Sequence, residues 1–233
     1  MRVPYLSKNK IARSVNMTLA QFMEKTGQTV EPPIPIEDIL SMMGLRCIFF
    51  DFEQIGTPDV LGATYVKKKL VAINADLLDD RSKGRAAFTM AHEAGHWVLH
   101  RNLLAIANRH GNMEEAIFCR AQDARKPIEW QADYFASCLL MPEDMVRSAF
   151  KNTFEPDVID IVNVEKDFVS LPFCFDFSVD NWPFIADAVR TTGGFENVSR
   201  QAMIIRLQEL GLVVNHTRQK IGWTKGSQAV PAV

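Results

Sequence analysis

Residues 91–97 read Ala-His-Glu-Ala-Gly-His-Trp, an HExxH pattern that makes chemical sense only if the chain is helical there. Residues four apart on an α-helix differ by about 40° in direction and roughly 6 Å along the axis, so His92 and His96 project from one face and can share an ion. Glu93 stands one step around, beside that ion. The flanking chain supports a helix: residues 82–100 hold no proline, and Phe88, Ala91, Gly95, Val98 and Leu99 recur at helical spacing. Chance is a poor explanation, because five histidines in 233 residues lead to roughly 0.006 such matches at this composition. Neutral imidazole is a good zinc ligand, and zinc lowers the pKa of a bound water from about 15.7 to about 7. Glu93 is placed to take the released proton and return it.

A catalytic zinc site takes a third protein ligand and keeps one position for water. His100 continues the i+4 series but stands about 12 Å along the axis from His92, too far for one ion bound at about 2 Å, and reads as a polar residue at the helix end. The pattern HExxHxxGxxH would need Gly at 99 and His at 102, where the chain has Leu99 and Asn102. A carboxylate from a second helix is what remains, and residues 127–142, PIEWQADYFASCLLMP, provide one. Pro127 suits a first helical position, Pro142 cannot continue the helix, and Ala132, Phe135, Ala136 and Leu139 form an apolar stripe. Glu129 and Asp133 repel each other four residues apart unless they face solvent or cations. Two solvated acids on a surface helix is one reading. Coordination by Glu129, with Asp133 orienting a ligand histidine, is the reading that accounts for the pair beside an HExxH helix.

The segments FTMAHEAGHWVLH at 88–100 and EWQADYFASCLLMP at 129–142 together resemble the gluzincin metallopeptidases, and more narrowly the ImmA/IrrE family with its E-xx-A-N/D-x-FA-xx-LLMP signature. A looser similarity through LGATY at 61–65 and VAIN at 71–74 extends the resemblance over most of residues 30–145. The resemblance implies an intracellular zinc endopeptidase that cleaves a protein substrate, typically a helix-turn-helix repressor of the phage or conjugative-element type, after stress or DNA damage. Some members of the family instead accompany toxin–antitoxin or unassigned regulators. Residue by residue, it implies His92, His96 and Glu129 as metal ligands, Glu93 as catalytic base, and Asp133 behind a ligand histidine. Zinc is the expected ion, and a His/His/Glu set also accepts Mn2+ or Fe2+. The interval 101–126, with Arg109, His110, Gly111, Arg120 and Arg125, is long and polar for such a family and is expected to form a loop over the cleft. Tyr65, Tyr134, His110 and the arginines between 101 and 125 all stand as candidates for stabilising the oxyanion.

The remaining periodicities predict an α+β fold, a zincin-like peptidase core with a small sheet packed on helices, followed by a mainly helical region of helix-turn-helix proportions. Residues 1–145 are expected as the core with its N-terminal helices, 146–215 as the helical region, and 216–233 as a mobile tail. Ile11, Val15, Leu19, Phe22 and Met23 mark a first helix stopped by Gly27, a stiff connector follows at 31–35, and residues 36–43 form a second helix. Strands are expected at 46–50, 62–66 and 69–73, the last two joined by a tight Lys67-Lys68 turn. Residues 62–74 are expected to include a free sheet edge on which an extended peptide can pair. Phe168, Phe173, Phe175 and Phe177 read as an internal strand pair or an apolar contact surface. Helices are expected at 180–190 and 199–210, with Ser199 as N-cap and Gly211 as stop. Were the second of these to enter a major groove it would present Arg200, Gln201 and Arg206, but the charge balance favours packing or substrate contact over DNA.

Composition bounds the rest. With 47% apolar and 23% charged residues the chain is an ordinary globular protein, and a net charge of −2 gives no general attraction to nucleic acid. No apolar run approaches the roughly 18 residues of a membrane span, and basic residues 1–10 precede no signal-peptide core, so a cytoplasmic protein is expected. Cys47, Cys119, Cys138 and Cys174 are widely spaced without a CxxC, which predicts reduced thiols rather than metal ligands. The competing reading is a metal-containing regulatory protein, antitoxin-like or DNA-associated, without proteolysis.

Overall fold

The first helix, α1 (Lys8–Thr26), is bracketed by residues suited to its ends: the Ser7 side chain accepts from the Lys10 N–H, and Gly27 takes the left-handed conformation that closes the last turn. Ile11, Val15, Leu19 and Phe22 recur at helical spacing and are buried. The computed structural model describes residues 3–79, 83–109, 117–120, 126–162 and 181–217. The Phe-rich stretch 168–177, His110 and the tail from 218 lie outside them.

Two compact units divide the chain, Met1–Met145 with Gly194–Ser199, and Val146–Gly193 with Arg200–Val233. In the first, α1 and α2 (Ile36–Met42) precede a four-stranded sheet of β1 (Arg46–Phe50), β2 (Val60–Tyr65), β3 (Leu70–Asn74) and β4 (Ile117–Arg120), in the order β1-β3-β2-β4. Strand β1 runs parallel to β3, while β2 is antiparallel to both β3 and β4. Phe52, Val60, Ala63 and Ala72 form a buried cluster, joined by Ile48, Phe50 and Tyr65. The polar Asn74 is buried there without penalty because its side-chain amide donates to the Val60 carbonyl at 2.9 Å.

This sheet corrects one expectation. Residues 62–74 supply no free edge, because β2 is flanked by β3 and β4 and β3 by β1 and β2. The covering strand β4 comes from the interval expected to be a loop, and that interval also begins differently from the expectation: α3 (Lys83–Arg109) runs nine residues past His100. Nothing in residues 101–109 breaks a helix, since neither proline nor glycine occurs until Gly111.

Helix α3 packs against the sheet and against α4 (Pro127–Leu140), whose first position is Pro127 as expected. Gly95 sets the approach of the two helices. A Cβ there would stand 3.2 Å from the backbone of Ala132 and 3.2 Å from Phe135 Cβ, so a side chain at this position would push the α4 backbone back by a few tenths of an ångström.

The second unit contains α6 (Trp182–Thr192), α7 (Arg200–Glu209), and a two-stranded parallel pair of β5 (Ile159–Ile161) and β6 (Val213–Asn215), with α5 (Glu143–Thr153) spanning the division between units. Gly211, with φ +67°, ends α7 as expected. Arg206 does not face outward as a groove-reading residue would. It is buried, with its guanidinium 3.4 Å from the Glu209 carboxylate, while Arg200 pairs with Asp187 at 2.5 Å. Among the described residues no helix is long and apolar enough to cross a membrane.

Candidate metal centre

Because Gly95 lets α4 lie against α3, Glu129 on the first turn of α4 reaches the histidine face of α3. His92 Nε2 lies 2.9 Å from His96 Nε2 and 3.1 Å from Glu129 Oε2, and His96 Nε2 lies 3.5 Å from the same oxygen. All three side chains are buried. Ligand atoms about 2.0–2.1 Å from a tetrahedral zinc stand roughly 3.3 Å apart, so the three observed separations bracket that spacing. The residues present therefore fit the ion that the sequence implies.

The other ring nitrogens decide what the Nε2 atoms can do. The Gln131 amide is oriented by donating from Nε2 to the Pro4 carbonyl at 2.9 Å, which turns its Oε1 toward His100 Nε2, also at 2.9 Å. His100 must then donate from Nε2 and accept at Nδ1, where His96 Nδ1 stands 3.1 Å away. His96 consequently keeps its proton on Nδ1 and presents a bare lone pair at Nε2. His92 Nδ1 donates to Asp133 Oδ1 at 2.8 Å. Each histidine is thus aimed by a partner behind it, the arrangement that orients metal ligands.

His100 and Gln131 were not read from the sequence as parts of this device. His100 is no helix-end residue but a buried one in the middle of α3, and the signal that could have found it was the i+4 series it continues from His96.

Electrostatics follow the same geometry. Burial drives His96 down to about 3, so it stays neutral. Burial would raise Glu129, yet hydrogen bonds with His92 and His96 outweigh it and hold the carboxyl at about 2. Burial also opposes a charge on His92, but Cys119 and the hydrogen bonds to Asp133 and Glu129 outweigh it and raise that histidine well above its ordinary value. Taken alone, the cluster holds one proton on His92 where three lone pairs converge. A divalent ion meets the same demand for positive charge, displacing that proton.

Glu93 is fully buried beside this cluster, and burial pushes its carboxyl up to about 7 against the opposing pull of His92 and Thr64. Thr64 on β2 donates its hydroxyl to Glu93 Oε2 at 2.5 Å, while Oε1 has no hydrogen-bond partner among the described residues. Room for that carboxylate comes from Gly62, where a Cβ would lie 2.8 Å from Glu93 Oε1 and 2.7 Å from Thr89 Cγ2. Thr64 and Gly62 fall in the segment LGATY that carried the looser resemblance, but their relation to Glu93 depends on β2 crossing α3.

Cys119 on β4 is a further residue that sequence reading left out of the site. Its Sγ, a ring nitrogen of His92 and a carboxylate oxygen of Glu129 all lie within 4.8 Å of one another. Cys47 and Cys138 are not part of this group, and Cys174 lies outside the described residues. Of the oxyanion candidates, Tyr134 stacks on Trp130 and Tyr65 lies under the Lys68 ammonium. Arg101 donates to the Trp97 carbonyl within its own helix.

Comparison with protein families agrees with the geometry: the model of the IrrE N-terminal-like domain, a peptidase M78 family, matches residues 42–168. That span contains His92, His96, Glu129, Glu93 and Asp133 together with the sheet. No curated protein matches the chain.

Proposed function

The chain belongs to the IrrE N-terminal-like peptidase family, and from that premise we propose that it is a zinc-dependent endopeptidase. It hydrolyses a peptide bond in a protein substrate, a helix-turn-helix transcriptional repressor, in the cytoplasm during stress or mobile-element regulation. One observation carries the hydrolytic part: three acceptor atoms, His92 Nε2, His96 Nε2 and Glu129 Oε2, converge within 3.5 Å of one another beside a buried carboxylate oxygen that has no partner among the described residues.

His92, His96 and Glu129 would hold the ion. A bound zinc supplies a Lewis acid for the scissile carbonyl and makes water acidic near neutral pH. Asp133 and the His100–Gln131 pair keep the ligand histidines in the tautomers that leave Nε2 available. Thr64 pins Glu93 through Oε2, which leaves Oε1 to accept a proton from the attacking water and pass it to the departing amine. The repressor as substrate is supported by the family resemblance of residues 88–100 and 129–142, and the cytoplasm by the thiols of Cys47, Cys119 and Cys138.

New protein N-termini in cells carrying the wild-type chain, compared with cells carrying Glu93→Gln, with and without DNA damage, test the reading. Cut termini inside a DNA-binding regulator, present only with the wild type, are the expected result. Identical termini in both strains under every stress, from proteins that bind zinc equally, would leave a metal-containing binding protein in place of the peptidase.

A further inference from the structure

Strand β4 pairs antiparallel with β2 and sets Cys119 opposite Gly62, the residue whose missing side chain makes room for Glu93. That register directs the cysteine into the cluster: its Sγ lies within 4.8 Å of a ring nitrogen of His92 and of a carboxylate oxygen of Glu129. Sulfur and nitrogen ligands of one tetrahedral zinc stand roughly 3.6 Å apart, so the thiol lies within about 1 Å of that spacing from two of the three ligand residues, His92 and Glu129. A second observation marks the same place as built for a ligand, the fully buried Glu93 Oε1 without a partner among the described residues. Catalytic zinc sites keep a fourth position for water, and structural ones fill it with a protein group, thiolate being among the strongest.

We propose that Cys119 is a fourth ligand of the metal in the resting protein, closing the site that the three other residues would leave open. On binding, its Sγ–H passes a proton to solvent and the thiolate replaces a water. Strand β4 delivers the cysteine while covering one flank of β2, within the segment 62–74 that was expected to include a free edge, so in the resting enzyme the ion is closed by the same strand that covers β2. The proposal rests on the metallopeptidase reading and assigns its regulation: hydrolysis begins when the thiolate leaves the ion.

Cobalt(II) reports both questions separately in the full-length protein. The wild type loaded with one cobalt is expected to show tetrahedral ligand-field bands together with a near-ultraviolet thiolate-to-cobalt charge-transfer band, and Cys119→Ser to keep the first and lose the second. Ligand-field bands without charge transfer in the wild type, or a charge-transfer band that survives in Cys119→Ser, would overturn the proposal and leave the metal reading standing. Loss of all cobalt bands in both proteins would overturn the two together. A measurement without substitution guards against a variant that fails to fold: iodoacetamide should label Cys119 in the metal-free wild type and be excluded from it when zinc is bound. Equal labelling in a protein shown to hold one zinc would also sink the proposal.

Discussion

Two helix pairs in this protein have opposite electrostatics. Along α6 and α7 each charge with a described ion pair meets an opposite charge: Asp187 lies between Arg190 and Arg200, and Arg206 meets Glu209. Between α3 and α4 the polar groups are buried and their lone pairs outnumber their protons. His92, His96 and Glu129 present three acceptors to one point, and Asp133 and His100 hold the histidines in that presentation. The first pair is neutralised from within, so its charges point to no ligand. The second gathers acceptors without matching donors and so favours positive charge brought to it, and that demand separates a site from a helix pair with polar residues.

Glu93→Gln breaks the comparison most severely. Peptide hydrolysis should fall about 10²- to 10⁴-fold while one zinc per chain is retained, measured as kcat beside metal content. An unchanged kcat would remove Glu93 from the reaction.

The same residue predicts a pH-dependent stability difference in the metal-free protein. Its carboxyl titrates near the ordinary 4.5 when unfolded and at about 7 when folded, so its contribution is fully present below about pH 4.5 and is lost as pH rises through 7. Wild type should lose on the order of 3 kcal/mol relative to Glu93→Gln across that window. Urea unfolding of both proteins at a series of pH values checks it, and parallel profiles would contradict the burial assigned to Glu93.

Asp133→Ala and His100→Leu leave the three acceptors in place and free the rings behind them. Each should weaken zinc affinity by about 10- to 100-fold, read by competition with a chromophoric chelator. An effect from Asp133 alone would mean that the His100–Gln131 link does not hold His96. At the small end, Arg200→Ala removes a half-exposed ion pair with Asp187 and should change stability by less than about 1 kcal/mol and zinc affinity not at all.

What could be read from the sequence depended on how local the cause was. His92, Glu93 and His96 declare themselves because helix geometry alone aligns them, and Glu129 with Asp133 because Pro127 and Pro142 delimit a helix around an i,i+4 acidic pair. Strands β1 to β3 were legible within a few residues at each end. Tertiary causes were not. His100 reads as a helix-end residue until α3 is seen to continue to Arg109, and its use depends on Gln131 from another helix. The four residues of β4 sit in a polar interval without strand periodicity and become a strand by pairing with β2, which also places Cys119. Gly62 reads as an ordinary strand glycine until Glu93 is seen against it.

Zinc stoichiometry in four purified proteins tests the central claim most directly: wild type, Glu93→Gln, His96→Ala and Glu129→Ala, each dialysed against the same low concentration of free zinc. Convergence of His92, His96 and Glu129 on one ion predicts one zinc per chain in the first two and little or none in the last two, with all four folded by circular dichroism. Full zinc occupancy in His96→Ala and Glu129→Ala would contradict the account, because the ion would then be held somewhere other than between α3 and α4.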